Sequence, residues 1–226
     1  LQTQRLIEAI SAGLAQVKEI ETAIVVDLVR DFGPEQAAKT LAETSEARDY
    51  GVVGIGIGGS EQHEPPEQFE QVFHTARTMG FHTSAHAGEA AGASSIWGSI
   101  NALQVERIGH GTRAEEDERL IAYLASQRIP IEMCPLSNLR TGVVARIEDH
   151  PVRRYFERGL LVTINTDDPA MFGNSLAEEY ALLEQKLGFS RDDIRTLILH
   201  GIQAAWLPEE RKKELTHSFT HDPHWI

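Results

Sequence analysis

Cysteine is nearly absent from this sequence: Cys134 is the only one among 226 residues. No disulfide framework can therefore be built within the chain. Long apolar runs are also missing, and none approaches the roughly 20 residues that cross a bilayer as a helix. Positive charge is scarce, with 21 Lys and Arg against 34 Asp and Glu and a formal net charge of −13. Such a surface repels phosphate backbones and anionic headgroups, which excludes nucleic-acid polymers and membranes as partners. Residues 1–20 read as an amphipathic helix without the basic start and small-residue cleavage site of a signal peptide. A reducing, cytoplasmic setting fits these absences.

What is present is a repeating alternation. Six apolar runs rich in Val and Ile (23–30, 52–59, 81–86, 105–110, 129–134 and 160–167) have the length and continuity of strands buried on both faces. Between them lie helical stretches with readable ends. Pro34 and Pro66 each suit the first turn of a helix, Gly159 follows another that starts near Pro151, and Ser175/Glu178 and Ser190/Asp193 have capping-box spacing. Strand-helix alternation without a linker or repeat indicates one α/β domain over 1–226 with a parallel sheet. An open doubly wound sheet and a closed (β/α)₈ barrel both satisfy the pattern, and both gather working residues at the carboxyl ends of strands.

Those ends read GIGIGGSE (54–61), AHAGE (85–89), RIGHG (107–111), EMCPLSN (132–138) and NTDDPA (165–170). Each alone has an ordinary structural explanation: a lone His is usually a hydrogen-bonded structural residue, and Asp167-Asp168-Pro169 is a good helix-capping turn. Together they collect two His, a Glu and two adjacent Asp at one end of the sheet, the donor set of a hydrolytic zinc site. Gly54-x-Gly56-x-x-Gly59 has the spacing of a dinucleotide fingerprint, but the SEQHEPP stretch delays the helix that would hold a pyrophosphate, which weighs against a nicotinamide oxidoreductase. Strand glycines more often mark the close approach of another group, here read as a flat ligand. Cys134, between an apolar strand and Pro135, is read as a buried small side chain rather than a nucleophile. Trp97, Trp206 and Phe172 are read as core or pocket wall, and the terminal THSFTHDPHWI as solvated.

In combination, HAGEAAG…SIW, ERIGHGT, CPLSN and INTDDPAMFGNSLAEEY resemble the adenosine deaminase family over nearly the whole chain, from the third family strand onward. The resemblance implies a (β/α)₈ barrel with one Zn²⁺ that hydrolyses the exocyclic amine of a 6-aminopurine nucleoside to the 6-oxo product and ammonia. It further implies His86 and Asp167 as metal ligands, Glu89 as the acid that protonates N1, and His110 as the residue that orients the attacking water. Asp168 is implied as the carboxylate near N7 and Gly59 as a backbone contact to N3. A protonated Glu beside an apolar wall suits that chemistry, and the small residues around Glu89 clear space for a flat ring.

Two departures from the family pattern stand out. No His-x-His pair occurs before Ala23, so about six of the eight barrel strands are expected and the chain is read as N-terminally incomplete. A complementary N-terminal segment or a second copy is the expected macromolecular partner, and the segment alone is expected to be inactive. Gly56 and Ser60 also stand where the family carries acidic residues, which keeps aminodeoxyfutalosine and adenine open as substrates beside adenosine. Adenine deaminase is the alternative function, and an inactive fragment or a purine-binding relative is the alternative of another class.

Overall fold

Residues 3–225 are described in a computed structural model, in which helices and strands alternate along the chain; Leu1, Gln2 and Ile226 lie outside the description. Two compact units share them, Leu1–Ile108 and Gly109–Ile226.

In the first unit, α1 (Thr3–Leu14) leads through a coil to β1 (Ile24–Val29), α2 (Gly33–Glu46), β2 (Val52–Gly58), α3 (Glu70–Thr78), β3 (His82–Ala87) and α4 (Ala93–Gly98). β1, β2 and β3 pair in that order and run parallel, with Ile24 opposite Val52 and Val29 opposite Gly58. The start of β4 (Arg107–His110) follows, announced by the Glu106 N–H donating to the Thr83 carbonyl at 2.9 Å. Pro34 lies in the first turn of α2, where its missing N–H costs no helical bond. Pro66 opens a short 3₁₀ turn that runs into α3.

The second unit holds the end of β4, then α5 (Glu118–Gln127), β5 (Ile131–Met133), α6 (Pro135–Arg140), α7 (Val152–Glu157) and β6 (Val162–Ile164). Four helices follow: α8 (Pro169–Phe172), α9 (Leu176–Leu187), α10 (Arg191–Ala204) and α11 (Glu209–Thr220). β5 and β6 are parallel, with Ile131 opposite Val162. Ser190 and Asp193 complete a capping box at α10, while Ser175 caps α9 by accepting from the Glu178 N–H without the reciprocal bond. Arg153 on α7 reaches the same Asp193 at 2.8 Å, tying α7 to the start of α10. Among the described residues no helix is long and apolar enough to cross a membrane.

Three expectations need correction. The N-terminal helix ends at Leu14 and does not continue to residue 20; Gly13 sits in its last turn and the chain beyond it is irregular. β5 and β6 have only three residues each; Cys134, directly after β5, is already the N-cap of α6, and beyond β6 the backbone is left-handed at Asp167, φ +58. β1 is not buried on both faces. Leu28 is covered, but Val25 and Val29 are 38% and 41% exposed, as suits a strand with one sheet neighbour in the strand order. β2 behaves as expected, with Val52, Ile55 and Ile57 fully inside.

Candidate active site

In the first unit the site is organised by two buried charged groups that end on backbone. Glu61 is 5% exposed, and its carboxylate accepts N–H bonds from four consecutive residues: Gly88, Glu89 at 3.1 Å, Ala90 at 2.8 Å and Ala91 at 3.0 Å. The loop that carries Glu89 is thereby fastened at every peptide. Charge-assisted bonds of this kind are worth more than neutral ones, and here they fix the residue immediately after β3. Arg30, at the end of β1, is fully buried and donates to the carbonyl oxygens of His86 (2.7 Å) and Glu64 (3.0 Å). Burial pulls the Arg30 guanidinium below its usual pKa, opposed by the carboxylates of Glu61 and Asp27. His86 and Glu89, so held, offer ligand atoms within 4.8 Å of each other.

The glycines of β2 have specific neighbours. A Cβ at Gly56 would overlap Asp27 Oδ1, and one at Gly58 would sit 3.0 Å from Asp27 Oδ2. At Gly56 and Gly58 the approaching group is thus the Asp27 carboxylate from β1 rather than a flat ligand. Asp27 Oδ2 also lies 3.6 Å from His86 Nε2. Gly59 adopts φ +98, and a side chain there would strike Asp31. Asp31 accepts from both the N–H and the hydroxyl of Ser60, bonds that draw its carboxyl below the usual range. No helix begins at these glycines, since the next helical turn starts at Pro66, so the pyrophosphate-binding geometry is absent.

In the second unit, His110 ends β4 with φ +63, and Asp167 follows β6 with φ +58. Left-handed backbone is uncommon for non-glycine residues and persists only where the surroundings enforce it, often at functional sites. The two side chains meet, with His110 Nε2 4.0 Å from Asp167 Oδ2. Ser137 donates to the same Asp167 oxygen at 2.6 Å. Ligand atoms of His110, Cys134 and Asp167 lie within 4.8 Å of one another. Cys134 is buried, and its thiol donates to the Glu132 carbonyl at 3.7 Å; that bond agrees with its reading as a small buried side chain, because a metal-binding sulfur must be deprotonated.

A hydrogen-bond relay behind His110 fixes its tautomer. The Val152 N–H donates to His150 Nδ1 (3.2 Å), so the proton of neutral His150 sits on Nε2 and is given to Asn138 Oδ1 (3.1 Å). The Asn138 amide then points its Nδ2 at His110 Nδ1 (3.0 Å), leaving His110 with its own proton on Nε2, the edge that faces Asp167. Burial holds His150 neutral by lowering its pKa to about 3. Asn174 donates to the carbonyl of Thr166, next to Asp167 in the chain (3.1 Å), and to Glu179 (2.6 Å), whose other oxygen accepts from Leu136 N–H at the start of α6. Asp168 caps α8 through Oδ1, accepting from the Met171 N–H at 2.9 Å.

The structure thus brings His86 together with Glu89 in one unit and His110 with Asp167 in the other. Gly59 and Asp168 stand at the ends of β2 and β6 in supporting turns. Sequence reasoning passed over Asp27, Arg30, Glu61, Asn138 and His150. A signal existed for two of them, since Glu61 closes GIGIGGSE and Asn138 closes EMCPLSN.

The sequence profile of adenosine deaminase matches residues 1–221. The chain belongs to the adenosine deaminase family. It is 39% identical over 210 residues to an adenine deaminase of Crocosphaera subtropica, covering 92% of this chain and 63% of that protein. It is 38% identical over 218 residues to an adenosine deaminase of Klebsiella pneumoniae, covering 95% and 65%, and 37% identical over 203 residues to an aminodeoxyfutalosine deaminase of Streptomyces coelicolor, covering 88% and 52%. The chain therefore spans just under two thirds of the length of the first two relatives. Identity is nearly level across the three, so it does not choose a substrate. Among solved structures, an amidohydrolase from Burkholderia ambifaria with bound Zn superposes with a TM-score of 0.87 at 28% identity over 95% of this chain and 60% of that one. The architecture is accordingly α/β of the (β/α)₈ type. The imidazole and carboxylate donors found in each unit fit a divalent metal ion.

Proposed function

We propose that this family member acts as a metal-dependent hydrolytic deaminase of a 6-aminopurine nucleoside, adenosine or an aminodeoxyfutalosine-like relative, in the cytoplasm. The observation that carries the reading is the meeting of His110 and Asp167, two left-handed residues at strand ends whose protonation and orientation are set by the Asn138 relay and by Ser137. Zinc is the proposed metal, with His86 and Asp167 among its ligands, and when bound it supplies Lewis-acid activation of water near neutral pH.

The chain's own residues do the remaining work. Glu89, on the loop fastened by Glu61, gives its proton to ring N1 as oxygen attacks C6, which keeps charge from accumulating on the purine. His110, protonated on Nε2, holds a hydrogen bond to the attacking oxygen; as C6=O forms and the C6–N bond breaks, the remaining hydroxyl proton of that oxygen passes to the amine, which leaves as ammonia, and the first proton lost by water restores Glu89. Asp168 has one oxygen committed to capping α8, and its other oxygen serves the N7 edge. The Gly59 peptide meets N3; Asp31 and Ser60 hold its turn.

Ammonia release from adenosine, aminodeoxyfutalosine and adenine by the full-length protein tests this. A nucleoside is expected to be turned over, and Glu89→Gln is expected to abolish turnover while metal stays bound. Preference for adenine selects the adenine deaminase reading, in keeping with the Crocosphaera relative. Failure on all three substrates rejects the proposal.

A further inference from the structure

We propose that Asp27 is a carboxylate donor to the same divalent cation as His86. The inference rests on the reading of His86 as a metal ligand and adds a residue that this reading did not contain.

Three observations converge on Asp27. First, β1 and β2 are paired in register with Asp27 opposite Gly56, so a side chain on one strand and empty space on the other face the same volume. The Asp27 carboxylate fills that volume: the Cβ that Gly56 lacks would overlap Oδ1, and the Cβ that Gly58 lacks would crowd Oδ2. Second, Oδ2 lies 3.6 Å from His86 Nε2, the ring edge that also faces Gly58 through Cδ2. Two donors at about 2.0–2.2 Å from one tetrahedrally coordinated zinc ion stand about 3.4 Å apart, so the pair is spaced to share an ion with little movement. Third, neither group is sealed off. The Asp27 side chain is 49% exposed and that of His86 is 39% exposed, which leaves the space in front of them reachable by an ion. The glycines are the clearance the carboxylate needs to reach His86.

Gly56 and Asp27 therefore act as a unit. Any side chain at 56 displaces the carboxylate, and once residue 27 no longer donates to the ion that displacement should cost no further affinity.

The test is zinc affinity of the purified full-length protein, measured by chelator competition, with thermal melts of the metal-free forms as a folding control. Asp27→Asn is expected to weaken zinc at least tenfold and to shift the visible band of the cobalt(II)-loaded protein, without lowering the metal-free melting temperature. Gly56→Ala is expected to weaken zinc in the wild-type background and to add nothing in the Asp27→Asn background. His86→Ala is expected to lose the ion. Wild-type affinity in Asp27→Asn, with loss in His86→Ala, overturns the assignment of Asp27 alone. Weaker affinity with an unchanged cobalt band also overturns it, since Asp27 would then be a neighbour of His86 and not a donor. Wild-type affinity in His86→Ala overturns the metal reading on which the proposal stands.

Discussion

Asn138 and His110 share a hydrogen bond of 3.0 Å whose direction is dictated from behind, by His150. Because the amide oxygen of Asn138 is already taken by the His150 Nε2 proton, its NH₂ must face His110, and the His110 edge that faces Asp167 carries the proton. Replacing Asn138 by Asp reverses the bond, since a carboxylate can only accept. The proton of His110 then moves to Nδ1, and kcat should fall about 10²–10⁴-fold, the range general acid–base groups contribute. Nitrogen chemical shifts of the ring report the tautomer directly; an unchanged tautomer with unchanged kcat would remove Asn138 from this role.

Glu61 accepts from the peptide N–H groups of four consecutive residues, Gly88 to Ala91. Glu61→Gln keeps the shape but offers one acceptor oxygen and sets an NH₂ against N–H donors. A loss of about 2–4 kcal/mol in unfolding free energy is expected, along with a fall in turnover as the Glu89 loop loosens. Denaturant unfolding and kcat together check this, and a variant as stable as wild type would show that the loop is held by something else.

His150 makes stability depend on acid. Its folded pKa is about 3 against an ordinary value of 6.5, the main cause being desolvation. Between those values the unfolded chain takes up a proton that the folded chain refuses, so this contribution is fully present above pH 6.5 and is lost as pH falls toward 3. The slope is at most about 1.4 kcal/mol per pH unit. His150→Gln should be less stable at pH 7 yet show a shallower decline on acidification. Equal slopes for both proteins would contradict the buried neutral state.

Glu179 works in the opposite sense. Burial raises its carboxyl pKa, with the bonds from Asn174 and Leu136 opposing. Its contribution is greatest below the unfolded carboxyl range and declines as pH rises through the raised folded value. Glu179→Gln should therefore lose least relative to wild type near neutral pH and most in mild acid, as read from melting temperatures across pH 4–7.

Much of this could be seen in the chain itself, and the reason is geometric. Polar residues at the ends of apolar runs are conspicuous, so His86, His110 and Asp167 were legible without coordinates. Asp27 was not, because β1 looks like any apolar strand until its pairing with a glycine strand is known. Glu61 looked like a loop residue, since its partners are backbone groups nearly thirty positions away that leave no mark in side-chain sequence. His150 lies in the charged stretch RIEDHPVRR, where burial to 1% is the last thing composition indicates. Strand lengths failed for a related reason: the apolar run marks where the core is, and the hydrogen-bonded ladder covers only part of it.

The most direct measurement is zinc stoichiometry and affinity in the full-length protein, set beside ammonia release from adenosine, for wild type and for His86→Ala and Asp167→Ala. One ion per chain, lost together with turnover in both variants, is what this account predicts. Tight stoichiometric zinc in both variants, or deamination without any divalent metal, would contradict it.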